Sequence, residues 1–213
     1  MSNDTSSVTA LISSRICHDL ATPIQALTTA LDVLESDNSP EMRESAIALL
    51  RESTNNATAK VEYMRAAFGS VTAGVGIALI EDLKRVAIKF FSSQKAKLNW
   101  ESTEQEAPRS IARVLLNLIL VAADSLPRGG EILVRSQKNA EIIEFSIRAT
   151  GTRIMLKPQM RQALQGIKPE EGYDARTIGP YLTFLTATEH KIQLAAREDE
   201  ASLTFLARMR QNS

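Results

Sequence analysis

Residues 14–23 read SRICHDLATP, and the apolar side chains on either side of this stretch place it inside one long helix. Val8, Leu11, Ile12, Ile16, Leu20, Ile24, Leu27, Leu31 and Leu34 recur at intervals of mostly three and four, the signature of one helical face. Beyond Leu20 they follow a heptad seam. On such a helix His18 lies about 160° from both Ile16 and Leu20, so its imidazole is expected to face solvent. Ser14 and Thr22, one turn to either side, share its polar stripe, which Gln25 and Thr29 continue.

Working outward, ESDNSP at residues 35–40 supplies turn chemistry, with Ser39 as N-cap and Pro40 at the first helical position. A second helix is expected from there, carrying Met42, Ala46, Leu49, Leu50, Ala57, Val61, Met64 and Phe68 at helical spacing. A short connection forces the two helices to lie antiparallel. The wide apolar stripes on both suggest pairing with a second copy into a four-helix bundle, the alternative being that the hairpin packs on the rest of its own chain. If the turn centres near residue 38, antiparallel pairing sets His18 beside residues close to 58, so Thr58, Lys60 and Glu62 are placed to rim a groove next to it.

The helical pattern stops near Gly69, Gly74 and Gly76, which divides the chain into a hairpin over residues 1–70 and a second domain over 77–213. The second domain reads as a helix around Glu81–Ser93, a strand AKLNW, and a helix from about Pro108 to Leu126 ending at PRGG. EILVRS and IIEFSIRA, then KIQLAARE and SLTFLARM, alternate as two strand pairs, with helical stretches near Met155–Gln165 and Ala175–Glu189 between them. The class expected is α+β, with helices on one side of a mixed sheet.

Composition narrows the function classes. Lys plus Arg number 25 against 25 Asp plus Glu, so no global field draws the chain to nucleic acid. The most apolar run, VLLNLILVAA, is too short to cross a bilayer and the N-terminus has no signal-peptide character, which reads as a cytoplasmic protein with no membrane partner. One cysteine, Cys17, leaves neither an internal disulfide nor a Cys-based metal site. It reads as partly buried packing, since neighbours on a helix do not face each other and Cys17 therefore does not pair with His18.

SRICHDLATP resembles the H-box of bacterial sensor histidine kinases, in which a histidine is followed by an acid, an apolar residue, two variable residues and a proline. His18, Asp19, Leu20 and Pro23 fill those positions in order. The resemblance implies that His18 is a phosphoacceptor, that Asp19 orients or deprotonates its imidazole, that Pro23 bends the helix, and that Thr22 contacts an incoming receiver domain. A neutral imidazole nitrogen is a competent nucleophile near neutral pH, and a proline inside a helix, at a cost of about 3 kcal/mol, needs a reason. Arg15, one turn before His18, has two readings: it steadies phosphoryl charge or it pairs with a carboxylate.

RVLLNLILVAADSLPRGGEI similarly resembles the N-box helix of the kinase catalytic domain, where two asparagines four apart hold nucleotide phosphate and magnesium. Asn117 stands at the first position and Val121 at the second, and an apolar side chain cannot ligate a hard cation. In IRATGTRIML, Ala149 replaces the adenine-gripping aspartate and Arg153 a glycine. In RTIGPYLTFLTATEH only Gly179 of a glycine-rich lid is left. No metal or cofactor-binding residue is assigned, and Asn117 is read as a helix surface or capping residue.

A kinase-like hairpin joined to a degenerate kinase-like α/β sandwich resembles the alphaproteobacterial histidine phosphotransferase family. That resemblance implies a homodimer that takes a phosphoryl group on His18 from the receiver domain of a hybrid kinase and passes it to response-regulator aspartates, including those of a cell-cycle transcription regulator and a single-domain receiver. His18, Asp19 and Arg15 are then the catalytic candidates and Ser14, Thr22, Gln25, Thr58, Lys60 and Glu62 the partner-binding ones. The chain needs no cofactor of its own, Mg2+ coming with the receiver. Three competing readings are an active histidine kinase with a divergent ATP site, a dimeric receiver-binding scaffold that transfers nothing, and a phosphatase. They predict label from ATP without a partner, indifference to His18→Ala, and no retained label.

Overall fold

A computed structural model describes residues 2–36, 39–69 and 76–210, the side chains of residues 2–7 excepted. Asp37 and Asn38 of the expected turn, and Gly74 at the expected boundary, lie outside the described residues.

The hairpin consists of α1 (Ser2–Ser36) and α2 (Pro40–Phe68). Ser39 caps α2 as its sequence promises: the Ser39 Oγ accepts from the Met42 N–H at 3.3 Å, with Pro40 in the first turn. Glu41 near the start and Arg65 near the end complement the helix dipole. Between the two helices Pro23, Ala30, Ala46, Ser53 and Ala59 are buried, small side chains that allow close approach. Ile24, Leu31, Met42, Ile47, Leu49 and Val61 remain exposed, so the apolar stripes are wider than the hairpin seam uses.

The rest of the chain runs β1 (Ile77–Leu79), α3 (Ile80–Phe91), β2 (Ala96–Glu101), β3 (Glu106–Pro108), α4 (Arg109–Asp124), β4 (Gly130–Lys138), β5 (Ile142–Thr150), α5 (Pro158–Leu164), α6 (Ile178–Glu189), β6 (Gln193–Asp199) and β7 (Ser202–Arg210). Five strands form one mixed sheet in the order β2-β4-β5-β7-β6, with β2 parallel to β4 and the other neighbours antiparallel. The short β1–β3 pair makes a separate ribbon. Alternation in β4, β5 and β7 puts Ile132, Val134, Ile143, Phe145, Ile147, Leu203 and Phe205 on one face, under the helices. That is the expected α+β layer arrangement.

Almost every residue from Ser110 to Ala122 is buried, which makes α4 the axis of the core: the sheet lies on one side, α2, α3 and α6 on the others. The turn that follows depends on Gly129 (φ 79°) and Gly130 (φ 149°). A Cβ on Gly130 would collide with the Thr150 carbonyl oxygen where β4 and β5 begin to pair.

Hairpin and second domain share this core. Tyr63 is fully buried beside Phe90, its ring 4.4 Å away between centroids, and donates its hydroxyl to the Leu116 carbonyl at 2.8 Å. Burial holds the Tyr63 phenol well above its ordinary pKa, so it serves as a neutral donor. Met64, Ala67 and Ile16 join the same cluster.

Candidate functional site

His18 stands on the outer face of α1, its side chain 80 % exposed. Its Nδ1 lies 3.2 Å from the Asp19 Oδ1. A carboxylate can only accept there, which assigns the proton to Nδ1 and leaves the lone pair on Nε2, the atom turned away from Asp19. Ser14, Thr22 and Gln25 are exposed on the same helix.

Pro23 acts on this pair through its backbone. Four residues after Asp19, it lacks the N–H that would bond the Asp19 carbonyl. α1 nevertheless runs through Pro23, and the Lys60 Nζ donates to that carbonyl at 2.7 Å. Antiparallel pairing thus does bring Lys60 to the site, to hold the Asp19 backbone. Thr58 is exposed, with its hydroxyl bonded to the Thr54 carbonyl. Glu62 pairs with Lys89 of α3 at 2.8 Å, so the structure does not bring it to His18.

Of the two readings of Arg15, the structure displays the carboxylate pair. Its Nε donates to the Asp19 Oδ2 at 2.8 Å, and its terminal nitrogens reach the Ala175 carbonyl at 3.1 Å and the Asp124 Oδ2 at 3.4–3.5 Å. Only 14 % of the side chain is exposed. Burial opposes its charge, but the pull of Asp124 and Asp19 outweighs this and raises its pKa. Crowding by the surrounding protein raises the Asp124 carboxyl above the ordinary range, against the pull of Arg15. The side chain of Asp124 is still 39 % exposed.

Ala175 is held in turn by its neighbour. The Asp174 Oδ1 accepts the backbone N–H of Arg176 and both the N–H and the hydroxyl of Thr177. Partial burial opposes its charge, but these bonds prevail and hold the Asp174 carboxyl below its ordinary range. Between this loop, the end of α4 and α1 opens a cleft of about 630 Å³ with His18, Lys157 and Arg176 in its wall. Asp124, Lys157 and Arg176 carry no local signal that points to this cleft, and Asp174 signals only the turn before α6; tertiary structure brings them together here.

Two expectations need correction. Cys17 is exposed, not packed, because it falls on the solvent side of α1 next to His18. Asn117 is not a surface residue: it is 5 % exposed, and its Nδ2 donates to the Ala67 and Arg113 carbonyls at 3.0 Å each. It ties the end of α2 to α4.

The residues at the kinase-like nucleotide positions do not suit a nucleotide and its metal. The Asn117 amide is already engaged, and its Oδ1 is a single unpartnered acceptor among the described residues, facing Gly179 and near Phe68. Val121 and Ala149 are buried apolar side chains with no oxygen to offer. No group of His, Cys, Asp or Glu spaced to hold a metal occurs among the described residues, nor does any helix there have the length and apolarity to cross a membrane.

Comparison with known proteins shows the fold and the family. The solved complex of the histidine kinase ThkA with the response regulator protein TrrA contains a chain that superposes with a TM-score of 0.52 at 16 % identity, over 99 % of this chain and 64 % of that one. A helical hairpin followed by a kinase-like α/β sandwich is therefore the class of fold. A solved bacterial phosphotransferase is far more similar, with a TM-score of 0.84 and 31 % identity over 94 % of this chain and 95 % of its own. The protein phosphotransferase ChpT of Brucella abortus (strain 2308) is 33 % identical over 199 residues, 93 % of each chain. Residues 80–202 match the histidine phosphotransferase C-terminal domain model. The chain belongs to the histidine phosphotransferase family and to two-component phosphorelay signalling.

Proposed function

We propose that this protein relays a phosphoryl group between receiver domains through His18, as a homodimer and without using ATP. The observation that carries the reading is an exposed imidazole at the mouth of a cleft, with its Nδ1 3.2 Å from the Asp19 carboxylate and its Nε2 turned away from it. In the first step the His18 Nε2 lone pair attacks the phosphorus of a receiver's aspartyl phosphate. The N–P bond forms, the acyl O–P bond breaks, and the receiver's carboxylate leaves with the electron pair. The ring, phosphorylated on one nitrogen and protonated on the other, becomes cationic, and Asp19 balances that charge. The second receiver's carboxylate reverses the step.

The receiver would bring Mg2+ and the aspartate; this chain supplies a positioned nucleophile. Ser14, Thr22 and Gln25 beside His18, with Thr58 on α2, would form the surface met by the hybrid kinase's receiver and by response regulators. The exposed apolar face of the hairpin supports a four-helix bundle between two copies. Dispensing with ATP is supported by the unsuitable nucleotide positions.

Incubation with a receiver domain carrying labelled aspartyl phosphate tests the reading. Label on wild type, stable in alkali and lost in acid, and absent from His18→Ala, is the expected outcome. Labelling from ATP alone would establish the kinase instead. Binding of the receiver with no transfer would establish the scaffold.

A further inference from the structure

We propose that Asp124, at the end of α4, is a positioning residue for the His18 imidazole, acting across the domain boundary through Arg15 and Asp19. The inference rests on His18 being the acceptor. It assigns the second domain a part in the chemistry that does not involve a nucleotide.

The contacts form one chain. Asp124 Oδ2 accepts from both terminal nitrogens of Arg15, the Arg15 Nε donates to Asp19 Oδ2 at 2.8 Å, and the other Asp19 oxygen meets His18 Nδ1 at 3.2 Å. Every link is needed for the last. An imidazole favours the tautomer that its hydrogen-bonded nitrogen dictates, so a carboxylate at Nδ1 raises the share of rings with the lone pair on Nε2. Asp19 and His18 are adjacent on a helix and their side chains naturally point apart, which means the Asp19 carboxylate must be turned and held. Arg15 holds it, but an arginine placed before an acid at this spacing is the weaker order for a helical pair, and a long side chain has much rotamer freedom to lose. The anchor comes from elsewhere: Asp124 and the Ala175 carbonyl fix the far end of the guanidinium. Ala175 itself cannot drift, because Asp174 ties the loop to Arg176 and Thr177.

The same geometry argues against Arg15 as a phosphate clamp. Its Nε and both terminal nitrogens are engaged, and 14 % exposure leaves little surface for an incoming group. A bidentate grip on phosphate would require releasing Asp19 or Asp124.

The test uses the full-length protein labelled with 15N and observed by two-bond proton–nitrogen correlation at about pH 8, where an ordinary imidazole is neutral. There are 2 histidines, so His18→Ala assigns the signals. Wild type should show His18 with the proton on Nδ1. Asp124→Ala should move the population toward the Nε2-protonated form and slow single-turnover transfer from a phosphorylated receiver by about tenfold. Asp124→Glu, which returns a carboxylate to the same site, should restore both. Because the Asp124 side chain is 39 % exposed, its removal leaves the core in place. Wild-type nitrogen shifts in Asp124→Ala would overturn the inference, whatever the transfer rate. Failure of the wild type to take label would instead refute His18 as acceptor, while the nitrogen shifts still report on the contact chain.

Discussion

If Lys60 is present to satisfy the carbonyl that Pro23 leaves without a partner, the two residues must be energetically coupled. Lys60→Met removes the 2.7 Å bond from Nζ to the Asp19 carbonyl and keeps most of the aliphatic stem. Hydrogen bonds from charged donors contribute about 1.5–3 kcal/mol, and because this one is only partly buried the lower end applies, about 1.5 kcal/mol. With a urea slope of about 3 kcal/mol/M the midpoint falls by about 0.5 M. In a Pro23→Ala background the backbone N–H returns to bond Asp19, and the same Lys60→Met change then has little left to remove. The coupling expected from the four-variant cycle is about 1 kcal/mol. All four proteins must be compared at one concentration, since an associating protein's stability depends on it. Additivity to within about 0.3 kcal/mol would show that Lys60 and Pro23 act independently and would remove the physical explanation given for the proline.

Other perturbations probe separate parts of the molecule. Tyr63→Phe deletes the buried hydroxyl that bonds the Leu116 carbonyl and should lower unfolding free energy by about 1 kcal/mol, read from urea titration. Asp174→Ala breaks the turn holding Ala175 and should cost about 1 kcal/mol at neutral pH. Since the folded Asp174 carboxyl lies below its ordinary 3.8, that stability is present above this value and is lost as pH falls through the folded pKa, so wild type and variant should converge in acid. Ile24→Asp combined with Leu31→Asp charges two residues on the exposed face of α1, and light scattering should then report a monomer for the variant and, on the proposed four-helix bundle, a dimer for wild type; a dimer in both would place the interface elsewhere.

What could be read from the sequence was set by local physics. The three-and-four spacing and the Ser39-Pro40 start suffice for the hairpin, and period-two alternation for β4, β5 and β7. The three-residue ribbon of β1 and β3 passes unseen because so short a pair carries no periodic signal. Boundaries slipped where turn chemistry overrides pattern: α5 begins at Pro158 rather than Met155, α6 at Ile178 because Asp174–Thr177 is a turn, and β6 at Gln193 after Lys191 takes a left-handed conformation. His18 and Asp19 are legible as neighbours in a motif. Asp124 is not, since its partner Arg15 lies 109 positions away and no local rule joins them.

The polar groups of the second domain tie it to the hairpin at several points. Asn117 donates to Ala67, Leu116 accepts from Tyr63, Lys89 holds Glu62, and Asp124 with Ala175 holds Arg15. Each of these ties ends on the hairpin, and between them they reach both of its helices. A domain that delivered phosphate from a nucleotide would need freedom to approach the histidine, whereas a relay needs the histidine held still while partners come and go. Rigid surfaces lose little conformational entropy on docking, and a fixed nucleophile converts encounter directly into reactive geometry. On the proposed reading the kinase-like domain is a buttress: through Asp124 and Ala175 it holds Arg15, and through Arg15 the Asp19 carboxylate beside His18.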